Sequence, residues 1–380
     1  MIRASHLVII RTLRSARDIF RRFVAMALAA VARIYTSFEY WLIGDKHARY
    51  GLAVARILLG VVVVGTVLTN LPTAEYTFGG ASAWTGQQES PGSSFATIWP
   101  FSVIFGASRH SIMLVMVLLI ICGVLFAIGY RTRFMLIAMF VLWVGFLAVN
   151  PLVQDQSDNL TRIALIGMFF ASPSEVWSVD ALRRRRFAPH PGRSFVVRWW
   201  LFQRVLPAWM TSLSHNMAVI VIGAQLCFIY AAGGLFKAQG APWYGGYAIY
   251  DPIHTAQFGT WPELSAFVTG WGPLVALATI LSVLVQVAFP LLLLRRGTRI
   301  FGLSVILAFH VSIAVLMGLP WFSLAMVALD AVFVRDATFR QVIDVIRTSW
   351  RSAEGDHAHL PADESVSGTR LSIASSATTT

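Results

Sequence analysis

The fold is decided by the stretch from residue 51 to residue 71, which reads GLAVARILLGVVVVGTVLTNL. Its only charged residue is Arg56, near the start. A helix that crosses the hydrocarbon core of a bilayer needs about 20 consecutive apolar residues. The stretch therefore predicts a membrane-spanning helix.

Further apolar runs follow along the chain, near residues 111–130, 134–150, 217–236, 268–294 and 300–319. Two weaker runs, near 160–177 and 320–335, contain Arg162 and Asp330. The whole chain is 57% apolar and 13% charged, whereas a soluble globular domain carries about 25% charged residues. We therefore predict an all-α integral membrane protein, built as a bundle of about eight transmembrane helices.

The arginines predict the orientation of these helices. Every second connection between the apolar runs is rich in arginine, as is the segment after the last run. The arginines of the three connections are Arg131 and Arg133; Arg183 to Arg186, Arg193, Arg198 and Arg204; and Arg295, Arg296 and Arg299. Those of the final segment are Arg335, Arg340, Arg347 and Arg351. The other connections, roughly 72–110, 151–159, 238–264 and 318–320, contain a single arginine, Arg109. Basic loops stay in the cytoplasm. The alternation therefore predicts eight spans in the cell (plasma) membrane with both termini cytoplasmic, and it supports the two weaker runs.

The two ends of the chain differ in composition from the predicted membrane domain, residues 48–335. Residues 1–47 are predicted to form a cytoplasmic basic amphipathic segment, because apolar residues alternate with arginines and no signal-peptide cleavage boundary follows. Residues 336–380 are predicted to form a cytoplasmic tail with a disordered, Ser- and Thr-rich end. The net charge of +12 fits attraction to the anionic inner leaflet. We expect membrane lipid as a partner, and no nucleic acid.

Several kinds of site are not indicated by the sequence. Cys122 and Cys227 lie inside apolar runs and form no CxxC motif, so neither a disulfide framework nor a metal site is predicted. No phosphate-binding loop, serine-hydrolase motif, zinc-protease motif or dinucleotide fingerprint is present.

Ionisable residues inside the predicted spans are the main candidates for function, because they are costly to bury in lipid. Lys237 ends the fifth span on its expected outer side. One interpretation is a lysine whose ammonium reaches the headgroups, which position alone favours. The other is a partly desolvated amine that acts as a base.

The other ionisable candidates have structural alternatives as well. His310, in the middle of the seventh span, suits either a hydrogen bond between helices or a proton carrier. Asp158 and Arg162 are four residues apart, and we expect them to pair on one face of a helix. Arg56 is expected to extend toward the interface, and Asp330 to need a partner on another helix.

Five segments, in this order along the chain, carry a resemblance to a known family. They are Ala55-Arg56-Ile57; Gly129-Tyr130-Arg131-Thr132-Arg133; Ser157-Asp158-Asn159 with Arg162 and then Pro173 to Asp180; Tyr230 to Tyr250 (YAAGGLFKAQGAPWYGGYAIY); and His310 with Gly318 to Phe322. Together they resemble the horizontally transferred transmembrane (HTTM) family. That family includes the membrane part of vitamin K-dependent gamma-carboxylase and the bacterial sporulation-delaying-protein B family. The likeness covers about residues 48–335.

The resemblance implies a role for Lys237. In the carboxylase, the lysine at the matching position is the base that activates reduced vitamin K. A histidine helps to position that lysine there, and its place aligns with Asn159 in this chain. A short predicted tail follows the last predicted span, where the carboxylase has a large lumenal domain that binds its protein substrate, so we do not expect carboxylation of protein glutamate from the resemblance.

Two hypotheses from different classes result. In the first, the protein is a quinone-dependent membrane enzyme, carboxylase- or lyase-like, that uses a reduced lipid quinone of the menaquinone or vitamin K type. Its catalytic residues are Lys237, Asn159 and His310, and its pocket residues are Asp158, Arg162, Tyr230, Trp243, Gly246 and Asp330. In the second, it is a non-catalytic membrane component for the maturation, export or immunity of a secreted peptide, and its partner is a peptide precursor or another membrane chain. A small-molecule transporter ranks lower, because no inverted repeat or paired broken helices stand out.

Overall fold

A computed structural model describes residues 2–78, 98–100, 102, 109–150, 153–186, 194, 197 and 206–358. The chain divides into two compact units, residues 1–336 and residues 337–380. All the regular elements in the described ranges are helices. This agrees with the all-α prediction.

The helices in chain order are α1 Ile2–Ile43, α2 Arg49–Asn70, α3 Ala74–Phe78, α4 Arg109–Ile128, α5 Thr132–Val149, α6 Gln156–Phe170, α7 Val179–Arg186, α8 Ala208–Ala238, α9 Ala241–Tyr244, α10 Pro262–Thr269, α11 Gly272–Leu292, α12 Arg296–Leu316, α13 Pro320–Asp330 and α14 Asp336–Ala358. Short 3₁₀ turns cover Pro252–His254 and Ala331–Phe333. Much of the predicted connection 72–110, the arginines Arg193, Arg198 and Arg204, and the predicted disordered end of the tail lie outside the described residues.

Within the described ranges, five helices are long and apolar enough to cross a membrane, namely α2, α5, α8, α11 and α12. Two shorter apolar helices, Ile112–Ile128 within α4 and Pro320–Phe333, coincide with further predicted runs. These helices agree with a multi-pass membrane protein. The predicted run 160–177 differs, because its helix α6 covers Gln156–Phe170. Pro173 follows shortly after the helix end and cannot continue it. At 1.5 Å per residue α6 is about 22 Å long, shorter than the bilayer core of about 30 Å.

Helix α2 lies at the centre of the first unit, packed against α4 and α13. Small residues allow these contacts: a Cβ at Gly60 would lie 2.7 Å from the carbonyl oxygen of Gly123, and one at Gly65 would overlap the Trp321 ring. Close approach of backbones at small residues is a common way for membrane helices to associate. The quoted stretch 51–71 is therefore a packed core helix as well as a predicted span.

One buried junction explains where α5 begins. The carboxylate of Asp180, at the start of α7, accepts hydrogen bonds from the backbone N–H of Arg131 at 3.0 Å, from the N–H of Thr132 at 2.9 Å and from the Thr132 hydroxyl at 2.8 Å. Asp180 thus caps α5 from a different part of the chain. In the same junction the N–H of Asp180 donates to the carbonyl of Gly129 at 3.0 Å.

Arg56 belongs to the same region and corrects an expectation. Its side chain is fully buried, and Nη2 donates to the carbonyl of Trp177 at 2.6 Å. Extension toward the interface was therefore the wrong prediction for Arg56. Gly129 has φ of 72°, and a Cβ there would overlap Nη1 of Arg56. Glycine is required at this turn both for its left-handed backbone and for the space that Arg56 occupies.

The connection between α1 and α2 is held by two buried side chains of α8. The amide nitrogen of Asn216 donates to three carbonyls, those of Trp41, Leu42 and Asp45, at 2.9–3.0 Å, and its oxygen accepts from the N–H of His47. His215 Nδ1 accepts from the N–H of Ser172 at 3.1 Å, so Nε2 carries the hydrogen that is donated to the His47 carbonyl at 2.7 Å. These bonds satisfy carbonyls that the end of α1 leaves without partners.

Hydrogen bonds also join each end of α2 to a residue from the C-terminal part of the first unit. The N–H groups of Arg49 and Tyr50, at the start of α2, bind the carboxylate of Asp336. At the other end of α2, Trp321 donates to the Thr69 hydroxyl at 3.2 Å. The start of α2 therefore shares one end of the bundle with Asp336, while the end of α2 meets the start of α13.

The second unit contains nearly all of α14. This helix carries an apolar stripe, Val342, Ile346 and Trp350, and each of these residues is exposed. Arginines at 340, 347 and 351 lie among them in sequence. Acidic residues are present as well, at 336, 344, 354 and 356, so the helix is amphipathic with charges of both signs.

Candidate functional site

Lys237 lies in the last turn of α8 and is surrounded by neutral groups. Its Nζ donates to Oε1 of Gln286 on α11 at 2.8 Å. The same nitrogen lies 5.4 Å from the centre of the Trp243 ring and 5.1 Å from the centre of the Phe309 ring, distances at which an ammonium is attracted to an aromatic face. Four helices, α8, α9, α11 and α12, thus supply the immediate surroundings of one amine.

No carboxylate pairs with Lys237 in the part of the chain that the structure describes. Ion pairs among the described residues include Lys46 with Glu175 and Arg49 with Asp336. Even a partly buried charge without a counter-ion is costly. Gln286 and the two ring faces are the groups that compensate for it.

Two cavities adjoin Lys237 and share it as a lining residue, together with Phe309 and Phe322. The first has a volume of about 590 Å³ and mostly apolar walls. Its other lining residues include Trp243, Ile249, Ile253, Leu274, Ala278, Leu281, Val305, Ile313 and Leu316. The second has a volume of about 520 Å³. Its other lining residues are Gln156, Phe228, Ile229, Tyr230, Ala232, Gly233, Phe236, Gln286, His310 and Met326. Both volumes fall in the range of sites for small molecules and cofactors, about 300–1,000 Å³.

Beside the second cavity, three buried polar side chains from different helices form a cluster. The Tyr230 hydroxyl, on α8, donates to Oδ2 of Asp330 at 2.7 Å. The same hydroxyl oxygen lies 3.2 Å from Nε2 of His310, on α12. Tyr230, His310 and Asp330 are at most 8% exposed. Asp330 therefore has the partner on another helix that its burial requires.

The residues singled out in the sequence separate into two groups. Lys237, Tyr230, Trp243 and His310 line the cavities, and Asp330 is bonded to one of them. The remaining candidates lie elsewhere: Asp158, Asn159 and Arg162 line neither cavity, although Gln156 of the same helix does, and Gly246 forms a turn with φ of 79° beside Ala276.

The expected pairing of Asp158 with Arg162 is wrong. Asp158 Oδ2 accepts from the N–H of Asp155 at 2.9 Å and so closes a capping box at the start of α6. Arg162 donates to Oδ1 of the exposed Asn159 at 2.6 Å. A bond to an unsatisfied backbone N–H at a helix start competes well with a surface ion pair, which accounts for the difference. Asn159 makes no described hydrogen bond to Lys237.

Sequence reasoning missed Gln286, the hydrogen-bond acceptor for Lys237. Its signal was a single amide within the apolar run 268–294. It also missed Phe309 and Phe322, which line both cavities, because an aromatic residue in an apolar run is indistinguishable from a packing residue before the helices are assembled.

The described residues hold no group of three or more His, Cys, Asp or Glu that could bind a metal ion, and Cys122 and Cys227 are free thiols. The site contains the Lys237 amine between apolar walls, with two aromatic ring faces and the Gln286 amide beside it. Such an arrangement suits an amphiphilic ligand that has a polar group on a flat or chain-like apolar body. No family model, no curated protein and no solved structure matches this chain, and the family resemblance accordingly stays a prediction.

Proposed function

We propose that this chain is an HTTM-like multi-pass membrane protein that binds a reduced lipid quinone, with Lys237 as the base. The proposal includes the eight predicted membrane crossings, with both termini in the cytoplasm and Lys237 toward the outer side. One observation carries the proposal: Lys237 lines two largely apolar cavities, and the contacts of its amine are Gln286 and two aromatic rings.

The residues present fit such a ligand. A quinol combines an aromatic ring, two hydroxyl groups and a long apolar tail. Trp243 and Phe309 offer ring faces beside the amine, and Lys237 Nζ is a hydrogen-bonding group for a hydroxyl. The first cavity, about 590 Å³ with aliphatic walls, suits the start of the tail.

The chain's own groups act as follows in this proposal. Lys237, as the free amine, takes a proton from a ligand hydroxyl placed at Nζ. Gln286 holds the amine in position through the 2.8 Å bond. Trp243 and Phe309 attract the ammonium that forms and keep water from that side. When bound, the quinol would supply the acidic hydroxyl and two reducing electrons, with dioxygen as the acceptor of those electrons.

The experiment that tests this proposal compares three purified proteins in lipid nanodiscs supplied with a reduced menaquinone analogue and with dissolved dioxygen as the acceptor of its two electrons. Lys237→Met removes the amine and keeps an unbranched side chain. Gln239→Ala is the matched control, because Gln239 is exposed and lies two residues further along the chain. We expect Lys237→Met to lose quinol oxidation by roughly 100-fold or more, and Gln239→Ala to behave as the wild type.

Unchanged quinol oxidation in Lys237→Met would remove Lys237 from the reaction. A wild-type protein that neither binds nor oxidises the quinol, but copurifies with a peptide precursor, would replace the proposal with the non-catalytic function in peptide maturation, export or immunity.

A further inference from the structure

Tyr230, His310 and Asp330 form a hydrogen-bonded row, and the geometry shows which group donates to which. The single hydroxyl hydrogen of Tyr230 is donated to Oδ2 of Asp330. The contact between the Tyr230 oxygen and His310 Nε2, at 3.2 Å, therefore needs a hydrogen on Nε2, because the tyrosine oxygen can only accept there. The imidazole therefore donates to the phenol oxygen, and the phenol donates to the carboxylate.

Two atoms of the row remain unpaired. His310 Nδ1 and Asp330 Oδ1 are buried and have no hydrogen-bond partner among the described residues. Buried polar atoms nearly always have partners, so an exception calls for an explanation. An imidazole with a hydrogen on Nε2 has a free lone pair on Nδ1, and this lone pair can accept a proton.

We infer that Tyr230, His310 and Asp330 form a proton relay that stores one proton taken from the cavity beside Lys237. A donor in the cavity gives its proton to Nδ1 of His310, while the Nε2 hydrogen moves to the Tyr230 oxygen and the Tyr230 hydroxyl hydrogen moves to Oδ2 of Asp330. Three bonds to hydrogen break and three form, no electrons are exchanged, and the carboxylate becomes a neutral acid. The reverse sequence returns the proton.

The location of the row supports this inference. His310 and Tyr230 line the cavity of about 520 Å³ that Lys237 and Gln286 also line. The inference rests on the proposed function for one point only, the source of the proton, which would be the ammonium of Lys237 after it has served as base. Among the described residues, the titratable groups in electrostatic interaction with His310 or Asp330 include Cys227 and Lys237, both on α8.

The competing explanation is a purely structural role, in which these hydrogen bonds hold α8, α12 and α13 together, since hydrogen bonds between membrane helices are common. The two explanations differ in how fast Asp330 is protonated. A structural role requires only that the bonds persist, whereas a relay requires hydrogens to move along them.

Time-resolved infrared spectroscopy after a rapid drop in pH separates the two, without any quinol. The absorption of a buried, protonated carboxylic acid is followed in the wild type, and its absence in Asp330→Asn assigns it to Asp330. We expect Tyr230→Phe and His310→Gln to reach the same final amplitude as the wild type, with proton uptake slowed by roughly 100-fold. Tyr247→Phe is the matched control, because Tyr247 is half exposed and outside the row, and it should follow the wild type.

An Asp330 absorption that rises at the wild-type rate in Tyr230→Phe and His310→Gln would overturn the relay, and so would its absence from the wild type after the pH drop. His310→Gln keeps a group that can bond Tyr230, so it tests the relay even where Tyr230→Phe fails to fold. Because no quinol is present, failure here leaves quinol binding at Lys237 intact, and failure of quinol binding leaves this result intact.

Discussion

Replacing Asp180 with alanine should destabilise the protein strongly, because one buried carboxylate serves two parts of the bundle. The Asp180 carboxylate accepts three hydrogen bonds, two of them from Thr132, which is buried. It also provides negative charge near the buried guanidinium of Arg56. In Asp180→Ala the donors at the start of α5 lose their partner, and Arg56 loses that charge.

The magnitude follows from those bonds. A hydrogen bond to a charged group contributes about 1.5–3 kcal/mol, and removing one member of a buried charged arrangement costs about 3–5 kcal/mol. The three bonds share one acceptor, so their contributions do not add. We therefore expect a loss of about 3–5 kcal/mol, and at roughly 2 °C per kcal/mol for a large chain this lowers the midpoint of thermal unfolding by about 6–10 °C.

The assay is the loss of the monodisperse peak of a fluorescent fusion on size-exclusion chromatography after heating in detergent. Asp251→Ala is the matched control, because Asp251 precedes a 3₁₀ turn, is exposed and makes no capping hydrogen bond with its side chain. Asp180→Asn, which keeps one acceptor oxygen, should fall between wild type and Asp180→Ala. If Asp180→Ala melted together with Asp251→Ala, the capping of α5 from α7 would not be a major source of stability.

Three further predictions concern packing, the connection after α1 and the site. Gly60→Ala should lower the free energy of unfolding by about 1–3 kcal/mol, because its Cβ would meet the backbone of α4 at 2.7 Å. The control Gly272→Ala has open space around it and should be neutral or stabilising by about 0.4–1 kcal/mol. Equal melting temperatures of the two variants would refute the close contact at Gly60. Asn216→Leu removes the hydrogen bonds to the carbonyls at the end of α1 and should lower the free energy of unfolding by about 2–4 kcal/mol. We expect faster limited proteolysis between α1 and α2. An unchanged cleavage rate would contradict a role for Asn216 in holding the end of α1. Gln286→Leu removes the described acceptor for Lys237 and should reduce quinol turnover roughly tenfold or more; full turnover would show that Gln286 does not position the amine.

The helices that the sequence predicted best are those whose signal is local. Crossing a bilayer requires a long apolar run in the chain itself, so the run 51–71 and its counterparts could be read directly. The end of α6 was predicted less well: the predicted run extends to residue 177, whereas the helix ends at Phe170, where the sequence turns polar and Pro173 follows.

For the candidate site, ionisable groups in apolar runs were visible in the sequence, and Lys237, His310 and Asp330 do lie in or beside the same pair of cavities. Their partners were not predictable. Whether Gln286 or another polar residue meets Lys237 depends on the rotation and depth of α11 against α8, which composition does not contain. Arg56 shows the same limit: only the assembled bundle brings the Trp177 carbonyl to its guanidinium.

The proposed function depends above all on a lipid quinol occupying the cavities that Lys237 lines. Photoaffinity labelling detects such binding without requiring turnover: the protein in nanodiscs is illuminated with a reduced quinone analogue that carries a diazirine, and the modified residues are located by mass spectrometry. We predict label on residues that line the two cavities, such as Trp243, Phe309 and Phe322, and its loss when unlabelled quinol is added. Label confined to other residues, or label that excess quinol does not displace, would rule out a quinol site at Lys237.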